Sequence, residues 1–503
     1  MQQSGKVLGE VKATKSGELF RPQYHFTPEA NWMNDPNGMV YYEGEYHLFY
    51  QYYPDDKIWG PMHWGHAVSA DLVSWEHLPI GLAPDEHGFI FSGSAVVDWS
   101  NSSGLFPEGE FGLVAIFTHH DAHPETGKPR QRQSVAYSTD RGRTWSKYAG
   151  NPVLTEESIV DFRDPKVFWH KETERWVMVL AAGDHVRLYT SANLLEWSFA
   201  SAFGEREGSH DGVWECPDLF ELEVEGEPGR KRWVMLVSIG DDPQCPEGSR
   251  TQYFVGGFDG RSFASDYSPE TILWADYGRD NYAGVSWSDV PETDGRRLFI
   301  GWMSNWKYAN LTPTPTWRGA MTVPRELSLR AEPEGVRLVQ RPADELKRLR
   351  DKRSEAAAVR VTPGLPFSEE LENGCAELRV DILAGDAKQW ELRLRAYSPE
   401  RAETVIRYDV AAANLSIDRS RSGVTGFHPQ FGCLHEAKAE LADGRLALHL
   451  LLDRCSVELF ACDGKVAMTD LIFPDEGIQT IEFAAIGGEA EIVRWEHYML
   501  RPM

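Results

Sequence analysis

Short apolar runs separated by Gly, Pro, Asn and Asp follow one another through most of the chain. They are rich in β-branched and aromatic residues, as in Met39-Val40-Tyr41-Tyr42 and Val167-Phe168-Trp169, which fit a pleated, half-buried strand. Between residues 20 and 326 one sequence pattern recurs. It consists of a strand that begins at a polar turn, a second strand similar to Arg-Trp-Val-Met-Val-Leu, and then a turn with a Trp. This pattern predicts an all-β region built from repeated units.

The repeated unit occurs five times. We predict that the first strands begin near Asp35, Ser92, Asp164, Glu215 and Asp280. The second strands are predicted at 46–53, 113–118, 176–181, 233–238 and 298–303. Three units share a further Ser-and-Trp signature at 69–76, 138–145 and 190–197, which we expect to be outer strands. Units of about 50 to 70 residues with several strands each are typical of β-propeller blades, so we predict a five-bladed propeller.

The pattern changes after Pro324-Arg325-Glu326-Leu327. Residues 342–356 are predicted as a short charged helix, and alternating strands then return at 375–383, 390–396, 405–410, 445–451, 456–460 and 481–484. Antiparallel strands at this density without helices predict a β-sandwich. We therefore divide the chain into an N-terminal extension (1–20), a propeller (21–335), a linker (336–357) and a β-sandwich (358–503).

Composition narrows the class of protein. A chain of 503 residues is too long for one ordinary core, and its 42% apolar content is that of a packed globular protein. The formal charge of −26 disfavours nucleic acid and anionic membranes as partners, because both are polyanions. The six cysteines show neither a Cys-x-x-Cys pair nor a metal-ligand spacing, so we expect free thiols.

The chain as written shows no secretion or membrane signal. No run approaches the roughly 20 apolar residues that cross a bilayer. The first ten residues, Met-Gln-Gln-Ser-Gly-Lys-Val-Leu-Gly-Glu, lack the apolar region of a signal peptide. We expect a cytoplasmic protein, or a secreted one if the sequence is a mature or trimmed form.

Three acidic motifs carry the candidate chemistry. They are Trp-Met-Asn-Asp-Pro-Asn-Gly at 32–38, Phe-Arg-Asp-Pro-Lys at 162–166 and Trp-Glu-Cys-Pro-Asp at 214–218. Proline is tolerated at the first residue of a strand, so each motif is expected at the rim of a sheet. Because the inner strands of a propeller begin around one channel, we expect Asp35, Asp164 and Glu215 to form one cluster.

Clustered carboxylates are what glycoside hydrolysis requires, one as nucleophile or base and one protonated as an acid. We expect Asn34 and Asn37 to keep Asp35 ionised, and the apolar neighbours Trp214 and Cys216 to keep Glu215 protonated. Each residue also has an ordinary structural interpretation. Asp35 would close an Asx-turn, Asp164 would pair with Arg163 or Lys166, and Glu215 would be a hydrogen-bonded buried Glu. The three residues are expected at equivalent positions in their blades. Ordinary structural residues have no reason to share such positions, so this placement argues against all three interpretations.

Together with Phe91-Ser92-Gly93-Ser94, these motifs resemble glycoside hydrolase family 32, the β-fructofuranosidases, exo-inulinases and levanases. The resemblance extends from Arg21 to residues 453–458, and it is greatest with the bacterial exo-acting levanases and exo-inulinases. Cys455 departs from it, since close relatives usually carry Ser there. The resemblance implies a five-bladed propeller joined to a β-sandwich.

For the three carboxylates, the resemblance implies a retaining, two-step hydrolysis of β-linked fructosyl units without a metal or cofactor. Asp35 matches the nucleophile and Glu215 the general acid and base. Asp164 matches the carboxylate that stabilises the transition state. Further matches to residues that bind the terminal fructose are Asn34, Gln51, Trp59, Phe91, Ser92, Arg163 and Tyr282. Trp302 and Trp306 are both candidates for another wall of the site, and Trp306 is preferred.

The expected function is exo-hydrolysis of terminal non-reducing β-D-fructofuranosyl residues from levan, inulin, fructo-oligosaccharides and sucrose. Three alternatives stay open: a fructosyltransferase, an endo-levanase on the same fold, and a carbohydrate-binding propeller without catalysis. The expected partner is a fructan or fructoside, with no nucleic acid or membrane, and the protein is expected to be a monomer or homodimer. Because no leader is apparent, imported sucrose or fructo-oligosaccharides would suit a cytoplasmic enzyme.

Overall fold

The computed structural model describes residues 18–372, 374–397 and 402–502, and its regular structure is almost entirely β-strand. Residues 31–342 form five separate sheets. The first contains β1 Asn31–Tyr42, β2 Glu45–Tyr53, β3 His63–Ser69 and β4 Glu76–Leu82. The second contains β5 Phe89–Val97, β6 Leu113–Ala122, β7 Pro129–Ser138, β8 Ser146–Lys147 and β9 Leu154–Thr155.

The third sheet contains β10 Phe162–His170, β11 Arg175–Ala182, β12 Val186–Ser191 and β13 Ser198–Phe203. The fourth contains β14 Trp214–Glu223, β15 Lys231–Ile239, β16 Arg250–Phe258 and β17 Phe263–Ser265. The next strands are β18 Tyr282–Ser286, β19 Arg297–Trp302, β20 Trp317–Arg318, β21 Arg325–Glu332 and β22 Gly335–Pro342. Strand β20 pairs in parallel with β1, whereas the other four form the fifth sheet.

Apolar clusters join the five sheets into a closed ring. One cluster lies between each pair of neighbouring sheets, and the one containing Met39 and Trp287 joins the fifth sheet to the first. Burial of these side chains is the main force that holds the blades together. The predicted five-bladed propeller is confirmed.

The three segments with the Ser-and-Trp signature are turns, contrary to the expectation of outer strands. Each connects the third strand of a blade to the fourth. In the first, Asp71 Oδ1 accepts hydrogen bonds from the backbone N–H of Val73 (3.0 Å) and Ser74 (2.7 Å). Asp140 and Asn193 make similar bonds. An Asp or Asn that binds the backbone two to four residues later closes a turn instead of extending a strand.

The predicted linker at 336–357 is too long at both ends. Strand β22 pairs with β21 along its whole length, so the propeller continues to Pro342. The predicted helix is only the 3₁₀ segment Asp344–Leu349, which buries Leu346 and Leu349 between the domains. The charged residues that follow belong to an edge strand of the sandwich, Arg350–Val361, where charge protects an exposed edge.

The second domain is a sandwich of two six-stranded sheets, as predicted. Its strands are β23 Arg350–Val361, β24 Phe367–Glu370, β25 Ala376–Leu383, β26 Gln389–Arg395, β27 Glu403–Asp409, β28 Asn414–Arg421, β29 Leu434–Lys438, β30 Arg445–Asp453, β31 Ser456–Ala461, β32 Val466–Leu471, β33 Thr480–Ile486 and β34 Ala490–Leu500. Trp390 and Trp495 are fully buried in the core between the sheets. Two further 3₁₀ segments are Ala309–Leu311 and Cys462–Gly464.

Buried charges join the sandwich to the propeller. Arg419 of β28 has no exposed surface and reaches Asp280 Oδ2 (2.5 Å) and the Tyr308 hydroxyl (2.7 Å) in the propeller. His25 lies 2.8 Å from both Asp453 and Glu458 of the sandwich. Burial opposes protonation of His25, but these two carboxylates outweigh it and raise its pKa to about 9. The domains are therefore connected by fully desolvated ion pairs.

Arg419→Ala should lower the free energy of unfolding by about 3–5 kcal/mol, because it leaves Asp280 buried without its cation. Arg360→Ala is the matched control, since it removes an exposed ion pair with Glu489 of the same domain and should cost about 0–1 kcal/mol. Urea unfolding followed by Trp fluorescence measures both. Equal losses in the two variants would contradict the structural importance of the buried pair.

Candidate active site

The innermost strand of every blade carries a bulge near its beginning. Pairing with the second strand shifts between Met33 and Pro36 in β1 and between Phe91 and Gly93 in β5. It shifts likewise after Arg163 in β10, Glu215 in β14 and Tyr282 in β18. A bulge bends a strand and re-aims its side chains. The five bulges bring the predicted motif residues around one mouth of the channel.

The motif prolines lie at these bulges, not at the first residue of a strand as predicted. Pro165 and Pro217 are inside bulges, where the ladder does not need a backbone N–H. Asp164 (φ 65°) and Cys216 (φ 45°) precede them in the left-handed region. Such backbone costs about 1–3 kcal/mol per residue and is typical of functional sites. Gly93 is required in β5, because a Cβ there would lie 2.1 Å from Ile116 O.

A pocket of about 470 Å³ opens at this mouth of the channel. The three predicted carboxylates line it, and those of Asp35 and Asp164 are buried whereas the Glu215 side chain is 21% exposed. All the predicted substrate-binding residues except Tyr282 also line the pocket, namely Asn34, Gln51, Trp59, Phe91, Ser92, Arg163 and Trp306. The structure thus brings together residues that are widely separated in sequence.

Cys216 lies between two of the carboxylates. Its backbone N–H donates to Asp164 Oδ2 at 3.0 Å. Its Sγ is 3.6 Å from Asp35 Oδ2 and 3.5 Å from Asp164 Oδ2. Burial raises the pKa of the Cys216 thiol, so it remains a neutral hydrogen-bond donor. Ser92 Oγ also donates a hydrogen bond to Asp35 Oδ2, at 2.9 Å.

Glu215 does not have the apolar surroundings expected from Trp214 and Cys216. Its Oε1 accepts hydrogen bonds from Arg163 Nη2 (2.8 Å) and Nε (3.2 Å). Its Oε2 accepts one from the hydroxyl of Tyr282, which is buried behind the pocket wall. The bulge in β14 turns Glu215 away from its apolar sequence neighbours and toward these two residues.

The surroundings of Asp35 and Asp164 also differ from the expectation. Burial raises the pKa of Asp35 to about 6, and the charge of Glu215 adds to this, although the polar side chain of Asn34 and the hydrogen bond from Ser92 oppose it. Burial raises the pKa of Asp164 to about 7 against the attraction of Arg163, and Glu215 and Asp35 raise it further. Neighbouring carboxylates in one buried cluster oppose each other's ionisation, so Asp35 and Asp164 titrate as a coupled pair with raised pKa values.

The ordinary interpretation of Asp164 as an ion-pair residue holds only for a long contact with Arg163. The nearest Arg163 nitrogen is 3.9 Å away, because this guanidinium binds Glu215 and Asp161 instead. Lys166 binds Asp218, with 3.4 Å between Nζ and Oδ1. The carboxylate of Asp164 therefore remains available to a ligand.

Two polar atoms in the pocket have no hydrogen-bond partner within the described residues. They are Oδ1 of Asp35 and Nε2 of Gln51, both buried. A buried polar atom without a partner costs about 1–3 kcal/mol, so a ligand hydroxyl or a water that supplied the bond would stabilise the site. A hydroxyl-bearing ligand could satisfy both, since a hydroxyl donates and accepts.

Aromatic rings form the pocket walls. Trp59 meets Phe91 edge to face at 6.2 Å, and Phe91 stacks on His120 at 4.3 Å. Trp306 stacks on Trp32 at 5.8 Å, whereas Trp302 is fully buried behind it. The preference for Trp306 as the pocket wall therefore agrees with its position.

Several residues that line the pocket were not among the predicted ones, including His120, Gln131 and Asp161. Gln131 Oε1 accepts from Arg163 Nη1 (3.2 Å), and Asp161 accepts from the same nitrogen (2.5 Å). Asp161 is close to the Arg-Asp-Pro motif and could have been suspected. Gln131 lies on the third strand of its blade, where no sequence signal marks it.

No cluster of three or more His, Cys, Asp or Glu side chains suited to a metal ion occurs in the part of the chain that the structure describes. All six cysteines are free thiols, as expected. None of the described helices is long and apolar enough to cross a membrane. The expectation that catalysis needs neither metal nor cofactor stays a prediction.

The sequence matches two family descriptions in succession. Residues 25–342 match "Glycosyl hydrolases family 32 N-terminal domain", and residues 345–498 match "Glycosyl hydrolases family 32 C terminal". The boundary between the two matches falls where β22 ends and the 3₁₀ segment begins.

Known proteins are similar over nearly the whole chain. A levanase of Bacillus subtilis (strain 168) is 52% identical over 94% of this chain and 69% of its own length. A levanase of Bacillus sp. (strain L7) is 40% identical over 96% of this chain, which spans only 52% of that protein. The crystal structure of exo-inulinase from Aspergillus awamori superimposes with a TM-score of 0.89 at 34% identity, covering 97% of this chain and 99% of that one. The chain therefore belongs to glycosyl hydrolase family 32, as its motifs and its propeller-and-sandwich fold indicated.

Proposed function

We propose that this protein, a glycoside hydrolase of the family that acts on fructans, is a retaining exo-β-fructosidase. It would release terminal non-reducing β-D-fructofuranosyl residues from levan, inulin, fructo-oligosaccharides and sucrose. The observation that carries the proposal is the cluster of Asp35, Asp164 and Glu215 in one pocket with hydrogen-bonding and aromatic walls. The name levanase of two similar proteins supports the substrate class.

In the first step, Asp35 attacks the anomeric carbon of the terminal fructose. Its Oδ2 is held by Ser92 and Cys216, which leaves the unpartnered Oδ1 to form the new bond. Glu215 transfers its proton to the glycosidic oxygen as the bond to the leaving sugar breaks. The products are a fructosyl ester of Asp35 and a sugar shorter by one unit.

In the second step, Glu215 takes a proton from a water molecule, whose oxygen attacks the anomeric carbon and displaces Asp35. Two inversions give net retention. Arg163 and Tyr282 keep Glu215 in one orientation through both steps.

Asp164 accepts hydrogen bonds from fructose hydroxyls and faces the positive charge that develops on the sugar in the transition state. Its carboxylate is oriented by the backbone N–H of Cys216. Because the site is buried, an oriented negative charge stabilises the oxocarbenium-like state more than it would in water.

Exo action is supported by what lies beneath the pocket. Below Asp164 the channel contains the Lys166–Asp218 ion pair. Ser286 donates its backbone N–H (2.6 Å) and hydroxyl (2.7 Å) to Asp218. Because its base is blocked, the pocket admits sugar only from the mouth, which suits the entry of a chain end.

Asp35→Asn and Glu215→Gln should each lower kcat by at least about 10³-fold, because they remove the nucleophile and the proton donor. Glu86→Gln, an exposed residue outside the pocket, is the control and should keep full turnover. Asp35→Asn should not lower the melting temperature at pH 8, since it removes a buried charge. Turnover close to wild type in either active-site variant would reject the assignment.

The acid limb of the pH profile should report the coupled carboxylates Asp35 and Asp164. Both must be ionised for their proposed roles, so kcat/KM should fall as pH decreases through about 7 and about 6. Ser92→Ala removes a hydrogen bond that favours the ionised form, and it should move this limb upward by roughly 0.5–1 pH unit. Ser94→Ala, whose hydroxyl contacts only backbone atoms, should leave the limb in place. A downward shift in Ser92→Ala would contradict the geometry.

The products formed over time test the reaction itself. With levan, inulin and sucrose in parallel, chromatography should show fructose as the only early product from the polymers. With methanol added, a retaining enzyme should form methyl β-D-fructofuranoside, and the α anomer would mean inversion. Early oligosaccharides would indicate endo-cleavage or fructosyl transfer, and no product would indicate a binding propeller.

A further inference from the structure

We propose that the propeller has a second, non-catalytic carbohydrate site at the opposite end of its channel, where it holds a segment of the same neutral fructan. The identity of this sugar rests on the proposed function. The site is a cavity of about 850 Å³, which we call the lower cavity. It is formed where the inner strands end, by Val97 of β5, Phe168 of β10, Phe220 of β14 and the segment 288–292 after β18.

The lower cavity is distinct from the catalytic pocket. Lys166, two residues after Asp164, occupies the channel between them, 3.4 Å from Asp218 and hydrogen-bonded to Ser286 O at 2.5 Å. The catalytic residues line one cavity and the inner-strand ends line the other. A sugar in the lower cavity therefore cannot reach the catalytic carboxylates.

Two exposed indoles flank the lower cavity. The side chains of Trp99 and Trp169 are 56% and 41% exposed, on the second and third blades. Both are held in place: Trp99 Nε1 donates to Asp289 Oδ1 at 2.9 Å, and Trp169 packs edge to face on Trp176 at 5.2 Å. Exposed apolar surface at a cavity mouth indicates a binding partner. Oriented indole faces are suited to stacking on the C–H groups of a sugar.

Polar groups at the base of the cavity favour a ligand rich in hydroxyl groups. The guanidinium of Arg297 packs over Phe220 at 5.1 Å and donates one hydrogen bond, to Trp287 O at 3.3 Å, within the described residues. A guanidinium has five N–H groups, so most of these donors are available. The described residues place no carboxylate within ion-pair distance of it, whereas a nearby Asp289 carboxylate binds Val97 N and Trp99 Nε1.

The charge balance of the cavity favours a neutral ligand over an anion. Lys166, Lys171, Lys231 and Arg297 line it together with Glu172, Glu221, Asp289 and Glu292. Four cations thus face four carboxylates, and some are paired, as Lys231 is with Glu221 at 2.8 Å. An anion would also meet the repulsion of a protein with a formal charge of −26. A neutral chain of furanose rings fits both the aromatic walls and this balance.

The lower cavity would act on polymers and not on small substrates. A chain held at one end of the propeller keeps further chain ends near the catalytic pocket, which raises their effective concentration. Sucrose has no second segment to be held. The site should therefore lower KM for levan without changing the chemical step.

The test is the double variant Trp99→Ala/Trp169→Ala, with Phe199→Ala as control because that residue is 55% exposed outside the cavity. KM for levan should rise about 5-fold or more in the double variant, the loss expected for two stacking contacts. The kcat for levan and the kcat/KM for sucrose should stay unchanged, and unchanged sucrose turnover also shows correct folding. The milder variant Trp99→Phe keeps an aromatic ring and loses the hydrogen bond. Its KM for levan should lie between those of the wild type and the double variant.

A direct binding measurement tests the second site separately from the proposed substrate. The inactive Asp35→Asn protein should be retarded in a gel that contains levan, and adding the two Trp substitutions should reduce this retardation. Normal levan hydrolysis with unchanged KM and retardation in the double variant would overturn the second site alone. If the wild-type protein did not hydrolyse levan and the Asp35→Asn protein were not retarded by it, the proposed substrate would be overturned, and the second site with it.

Discussion

The bulge at the start of each inner strand is the constraint on which the site depends. A regular strand alternates its side chains between the two faces of a sheet, so successive residues at its start cannot all face the channel. One extra residue at Asp164, and another at Cys216, breaks that alternation and turns the preceding side chains toward the channel. Ring closure by β20 against β1 then fixes the distances between bulges that are far apart in sequence.

The bulges produce an electrostatic conflict that the catalytic role explains. Asp35 and Asp164 are buried within one cluster with Glu215, and burial raises the pKa of both. A fold selected for stability alone would separate or neutralise these groups. The cluster is compensated by fixed donors, namely Ser92, the Cys216 backbone and Arg163. These donors hold the carboxylates in place before substrate arrives, which is the preorganisation that catalysis requires.

The sandwich supports the same region of the propeller. Arg419 binds Asp280 and Tyr308, which lie two residues from Tyr282 and from Trp306 in the chain. His25 and Arg325 bind Glu458 in the same buried interface. The sandwich domain thus contacts the segments that carry one residue bound to Glu215 and one pocket wall.

The sequence by itself determined the fold class, the five repeats and the residues that meet in the pocket. Strand alternation and motif spacing are local properties, so they can be recognised in the sequence without knowledge of tertiary contacts. Only the tertiary structure decided the surroundings of each group: Glu215 faces Arg163 and Tyr282 instead of Trp214, and the charged segment after Leu349 forms an edge strand instead of a helix. Gln131 and the lower cavity were invisible for the same reason, because they arise from strands that become neighbours only when the ring closes.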